Sequence, residues 1–171
     1  MGALPFGKAA IGEPIRREDG VYTKEQALWE IIHNSNEIGL RILDQDLDPR
    51  VFGRREILHE LGLMLSYAGS YLEVFTSPET LKKFGDHPHH AFVEYVKEKQ
   101  KTHKGVLIKG VVPPAGISAD FLQGSLGQIF SVKNNGLGYL FNDRPDFYKN
   151  MSSIFDSFRT APFAEPLVEM K

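Results

Sequence analysis

The chain has 171 residues, 42% of them hydrophobic, 11% aromatic and 25% charged, which are the proportions of an ordinary globular domain and the length of one. Twenty basic residues against 22 acidic ones leave a formal charge of -2, so no broad field draws in nucleic acid or an anionic membrane surface. With no cysteine, disulfide frameworks, thiolate metal sites and cysteine nucleophiles are all excluded.

The opening Met1-Gly-Ala-Leu-Pro-Phe is too short, and too broken by Pro5, to read as a secretory apolar segment. No apolar run approaches the roughly 18–20 residues that span a bilayer. The expected setting is therefore the cytoplasm or another reducing compartment.

Residues 1–22 carry Gly2, Pro5, Gly7, Gly12, Pro14 and Gly20 and read as an extended arm. Thr23, with Gln26 three residues on, has the form of a capping box. Leu28, Ile31, Ile32, Ile38 and Ile42 then follow at helical spacing, predicting a helix that bends at Asn34-Ser35-Asn36 and ends between Asp44 and Pro49. Ile57, Leu61, Met64, Ala68, Tyr71 and Phe75 are separated by 4, 3, 4, 3 and 4, which predicts one long amphipathic helix over 54–75. Gly62, Ser66 and Gly69 form a small-residue line on it, which reads first as an internal packing seam and otherwise as the candidate interface seam.

Ser77-Pro78-Glu79 opens a short helix that stops at Gly85. Another begins after Pro88, buries Phe92, Tyr95 and Val96, and stops at Gly105 behind a basic last turn. Residues 106–112 are the best strand, β-branched and closed by Pro113-Pro114. Ser118 is placed to cap a helix through Phe121, Leu122 and Leu126. Residues 129–133 and 137–141 read as a hairpin about Asn135-Gly136. Phe147, Met151, Ile154 and Phe158 predict a last helix, followed by a tail over 160–171.

The expected fold is helix-rich α+β, with four or five helices packed on a small sheet made of one strand plus a hairpin. The expected organisation is an arm over 1–22, a single globular domain over 23–159 and the tail.

Asp86, His87, His89 and His90 are the densest set of potential metal ligands, because imidazole and carboxylate suit zinc, nickel or copper. Adjacent histidines at a helix start point different ways, so a capping loop is the preferred reading and no cofactor is expected. Glu30-x-x-His33 and Glu56-x-x-His59 have the spacing of di-iron bundle ligands. Both histidines lie opposite the apolar stripe of their own segment, where solvent is expected. His59-Glu60 opens a zinc-helix motif that fails at Leu63. Residues 92–117 resemble the entry strand of some oxoglutarate-dependent oxygenases, but no histidine is followed two residues later by a carboxylate, as the iron triad requires. The serine-elbow and phosphate-loop patterns are absent.

The function expected from these observations is a non-catalytic binding or assembly module, with a protein partner or a second copy of the chain. Contacts would be made by the small-residue seam and by apolar anchors in the ends, Leu4, Phe6, Phe163 and Leu167. The alternative is a small enzyme or sensor with a pocket between helices and sheet, using dispersed groups such as His59, His90 and Tyr95.

Overall fold

A computed structural model describes residues 19–34, 38–85, 90–112, 120–134 and 137–160. Thr23 closes a short strand, β1 (Gly20–Thr23), and caps helix α1 (Lys24–Trp29). Its hydroxyl accepts from the Gln26 N–H at 3.0 Å while the Gln26 side chain accepts from the Thr23 N–H, the reciprocal box that the sequence announces. The helix then widens into a π turn (Glu30–Asn34). From there the chain alternates: β2 (Gly39–Leu43), the single turn α2 (Pro49–Phe52), α3 (Arg55–Leu65), β3 (Tyr71–Thr76), α4 (Pro78–Gly85), α5 (Ala91–Thr102) and β4 (Val106–Gly110). A meander of β5 (Phe121–Gly124), β6 (Ile129–Asn134) and β7 (Leu137–Phe141) follows, and α6 (Pro145–Thr160) is the last helix described.

These strands form one seven-stranded mixed sheet in the order β1-β7-β6-β5-β2-β3-β4. β2, β3 and β4 run parallel, with the crossovers that parallel pairing needs made through helices. β5 lies antiparallel on the other side of β2, so the parallel and antiparallel halves meet at β2. β6, β7 and β1 extend the antiparallel half.

Alternation along the strands sends side chains to two cores. Leu40, Ile42, Leu72, Val74 and Phe130 face α1, α3 and α5. Leu43, Phe75, Phe121 and Ile129 face α6 through Met151, Phe155 and Phe158. A charged network fastens α6 to the same face. Arg41 lies 3.0 Å from Glu73 and 3.1 Å from Asp156, while Arg159 reaches both acids at 3.4 and 3.1 Å. No helix among the described residues is long and apolar enough to cross a membrane.

The small sheet expected from sequence is therefore corrected to seven strands, with six α-helices among the described residues. Three segments expected to be helical are strands. The helix expected to reach Ile42 ends with the π turn, and Gly39–Leu43 is β2. Glycine at position 39 leaves room for the Tyr71 ring on β3, which a Cβ there would meet at 2.2 Å and displace. The helix expected over 54–75 stops at Leu65, and Gly69, with φ of 79°, turns the chain into β3. The helix expected through Leu122 is β5, while Ser118 lies outside the described residues. The hairpin and the helices starting near Ser77, Pro88 and Pro145 stand where expected.

Candidate functional site

The carboxyl edge of the parallel strands is where open α/β sheets place ligands. Here it holds Asp44, directly after β2, and Asp120, directly before β5. Lys24 rises from the first turn of α1 between them, 2.5 Å from Asp44 Oδ2 and 3.2 Å from Asp120 Oδ2. Burial works against the ammonium, but the two carboxylates outweigh it and hold the Lys24 pKa above its ordinary 10.5. Asp44 is fully buried, and burial together with Asp120 pushes its pKa above the usual carboxylate value despite Lys24. Asp44 Oδ1 also accepts the Leu47 N–H at 2.8 Å, and Asp120 Oδ1 accepts the Gln45 N–H at 3.1 Å. Thr76 and Thr80 donate to the Gln45 carbonyl at 3.2 and 2.6 Å. The lysine thus ties α1, β2 and β5 together, with its charge spent on the two acids.

A second constellation lies on the outer side of the helical layer. The π turn places His33 against Trp29 with ring centroids 4.3 Å apart and planes at 17°. His33 Nδ1 stands 3.0 Å from Oε2 of Glu60, a buried acid on α3. Beside this stack is an open groove of about 700 Å³ lined by Trp29, Arg54, Arg55, Glu56, His59 and Glu60. Arg54 contacts Glu25 and lies 3.7 Å from Glu56. Arg55 is exposed and has no ion pair among the described residues.

The two Glu-x-x-His elements therefore meet differently from a di-iron bundle. His33 turns to Glu60 rather than to Glu56, and is half-buried where solvent was expected; His59 is exposed as expected. Among the described residues no three histidines, aspartates or glutamates gather as a metal site would require. Of the histidine-rich loop, Asp86, His87 and His89 lie outside the described residues. His90 is buried and caps α5: the Val93 N–H donates to its Nδ1 at 3.3 Å, and its Nε2 lies 2.8 Å from the Leu47 carbonyl. Both ring nitrogens are engaged by the backbone.

His103 and Ser70 form a pair that the sequence did not suggest, with Oγ and Nε2 3.1 Å apart. The Gly105 N–H donates to His103 Nδ1 at 3.0 Å, which leaves the proton of the neutral ring on Nε2, pointing at Ser70. A serine nucleophile needs the opposite arrangement, with the imidazole accepting its proton. The pair is a lock between β3 and the end of α5. Tyr95 packs behind Gly62, and burial raises its pKa above the usual 10.0.

The expected interface seam is divided by the end of α3. Gly62 lies on the helix facing the Tyr95 hydroxyl, where an added Cβ would stand at 3.4 Å. Ser66 and Gly69 lie beyond it and are exposed, with open space where a Cβ of Gly69 would project. Leu63, Tyr67 and Ala68 are exposed beside them. Residues 61–70 contain no charged side chain, and at the end of the run Ser70 lies 3.1 Å from His103. Leu4, Phe6, Phe163 and Leu167 lie outside the described residues.

No family model matches the chain, and a search of curated proteins finds no relative.

Proposed function

We propose that the chain is a non-catalytic binding and assembly module whose contact surface is the closing end of α3. The observation that carries the reading is the exposure of Leu63 (43%) and Tyr67 (46%) within a ten-residue run lacking any charge. Ser66, Ala68 and Gly69 complete the tip with small side chains that admit close approach. Large exposed apolar side chains on a run without charged residues favour contact with another protein surface. A second copy of the chain is the partner such a tip fits. An isologous contact sets the same residues against one another, and a run without charged side chains adds no like-charge opposition of its own. The formal charge of -2 adds little repulsion between copies.

Sedimentation velocity over a micromolar-to-millimolar series tests this. The wild-type mass should rise toward twice the 19.3 kDa of one chain, and Leu63→Glu with Tyr67→Glu should remain at one chain throughout. A wild-type chain that stays at one chain mass up to millimolar concentration would overturn the reading.

A further inference from the structure

We infer that the groove between the α1 π turn and α3 is a binding site for a small planar aromatic anion, such as an aromatic carboxylate. The site is separate from the closing end of α3, and the inference does not rest on self-association. Its shape and its unspent charge both point to this ligand. The volume of about 700 Å³ falls within the range of small-molecule sites.

Within it, the indole of Trp29 offers a flat polarisable surface. Its orientation is fixed rather than free: His33 stacks on it at 4.3 Å, and His33 is itself held at 3.0 Å from the buried Glu60. A ring held in place loses little freedom when a second ring packs on it, so stacking there contributes more than on a mobile surface residue. Residues 29 and 33 are four apart, the spacing of neighbours on one helix face, and the π turn begins directly after Trp29.

The charges around the groove are unequal in what they have left to offer. Arg54 is already engaged by Glu25 and Glu56, and Glu60 lies 3.0 Å from His33, so each of these groups has a partner. Arg55 lines the same groove with no acid paired to it among the described residues, and a guanidinium is suited to take a carboxylate through two parallel N–H bonds. His59, exposed on the same wall one turn along α3, adds a further donor. A neutral planar ligand would leave Arg55 unused, and a non-planar anion would leave Trp29 unused. Only a ligand with both features uses the two together.

Trp29 is the only tryptophan in the chain, so the proton–nitrogen correlation spectrum contains one indole N–H signal, and it reports on this groove. The full chain is titrated with naphthoate, with its neutral amide naphthamide, and with the non-planar cyclohexanecarboxylate. The expected result is a saturable shift of the indole signal by naphthoate, with each of the other two binding about tenfold more weakly or worse. Arg55→Ala, at an exposed position where folding is not at stake, should weaken naphthoate about tenfold and leave naphthamide unchanged. Arg55→Lys should recover part of the loss. An unmoved indole signal at millimolar naphthoate overturns the inference. So does equal binding of the three probes, or naphthoate binding that ignores the loss of Arg55. Repeating the titration on the Leu63→Glu, Tyr67→Glu chain separates this outcome from any effect of association.

Discussion

Replacing Lys24 with methionine removes the only ammonium facing Asp44 and Asp120 among the described residues and keeps most of the aliphatic stem. Asp44 is fully buried and Lys24 is only 15% exposed at its side chain, so solvent cannot compensate the loss. Removing one partner of a buried ion pair typically costs about 3–5 kcal/mol, because the other charge is left without a counterion. Against a total stability of about 5–15 kcal/mol, the variant should be marginal but folded. The loss depends on pH in a defined direction. The folded-state pKa of Asp44 is already raised above 3.8, and without Lys24 it rises further, so the protonated acid is the form the fold prefers. Stability of the variant should therefore improve as pH falls through that folded value. Urea denaturation followed by circular dichroism, at neutral and at mildly acidic pH, measures both effects. Adding Asp44→Asn to Lys24→Met should restore at least half of the loss, since the amide oxygen can still accept the Leu47 N–H. A loss below about 1 kcal/mol at neutral pH, the range of an exposed pair, would refute the reasoning. A double variant no more stable than the single one would refute it too.

Further expectations follow from the same contacts. The folded-state pKa of Lys24 lies above 10.5, so its contribution is complete below that pH and is lost as pH climbs through the folded value; the gap between wild type and Lys24→Met in urea midpoints should close in strong alkali. Glu73→Gln takes charge from the acid that holds both Arg41 and Arg159, and should cost about 1–3 kcal/mol, with amide exchange in α6 rising before that in β3. Gly138→Ala sets a Cβ 2.3 Å from the Ser131 carbonyl oxygen on the paired strand, where backbone cannot give way, and should cost about 1–3 kcal/mol or more in thermal or urea unfolding. His90→Ala removes the cap of α5 and a partner of the Leu47 carbonyl, for a loss of about 1–3 kcal/mol, read as a lower urea midpoint at unchanged slope.

The parts of the fold legible in the sequence are those where a local signal carries its own physics. Thr23 with Gln26, Ser77 before Pro78, Gly105 after a basic turn, Asn135-Gly136 and the spacing of Phe147, Met151, Ile154 and Phe158 each mark a boundary or a face without help from distant residues. β2, β3 and β5 gave no such signal, because they run near the middle of the sheet and are covered on both faces. A strand buried on both sides loses its alternation and reads as a continuous apolar run. Tyr71 and Phe75 fall by coincidence in the phase of α3, as Ile42 does in that of α1. The breakers were present: Asn34-Ser35-Asn36 before β2, and Gly69 before β3.

The groove was less legible still. Trp29 and His33 are four apart and neighbour each other on any helix, but that spacing alone did not mark a groove beside them. Glu60 meets His33 only because the fold lays α3 beside that turn. The ion cluster joins positions 24, 44 and 120, and no spacing rule links them.

The most direct test of the assembly surface is a map of backbone amide shifts of the full chain as its concentration rises. The account predicts movements confined to residues 62–70, growing with concentration and abolished by Leu63→Glu with Tyr67→Glu. Shifts that cluster instead on the β1–β7 edge around Val21 and Leu137, or none at all, would contradict it.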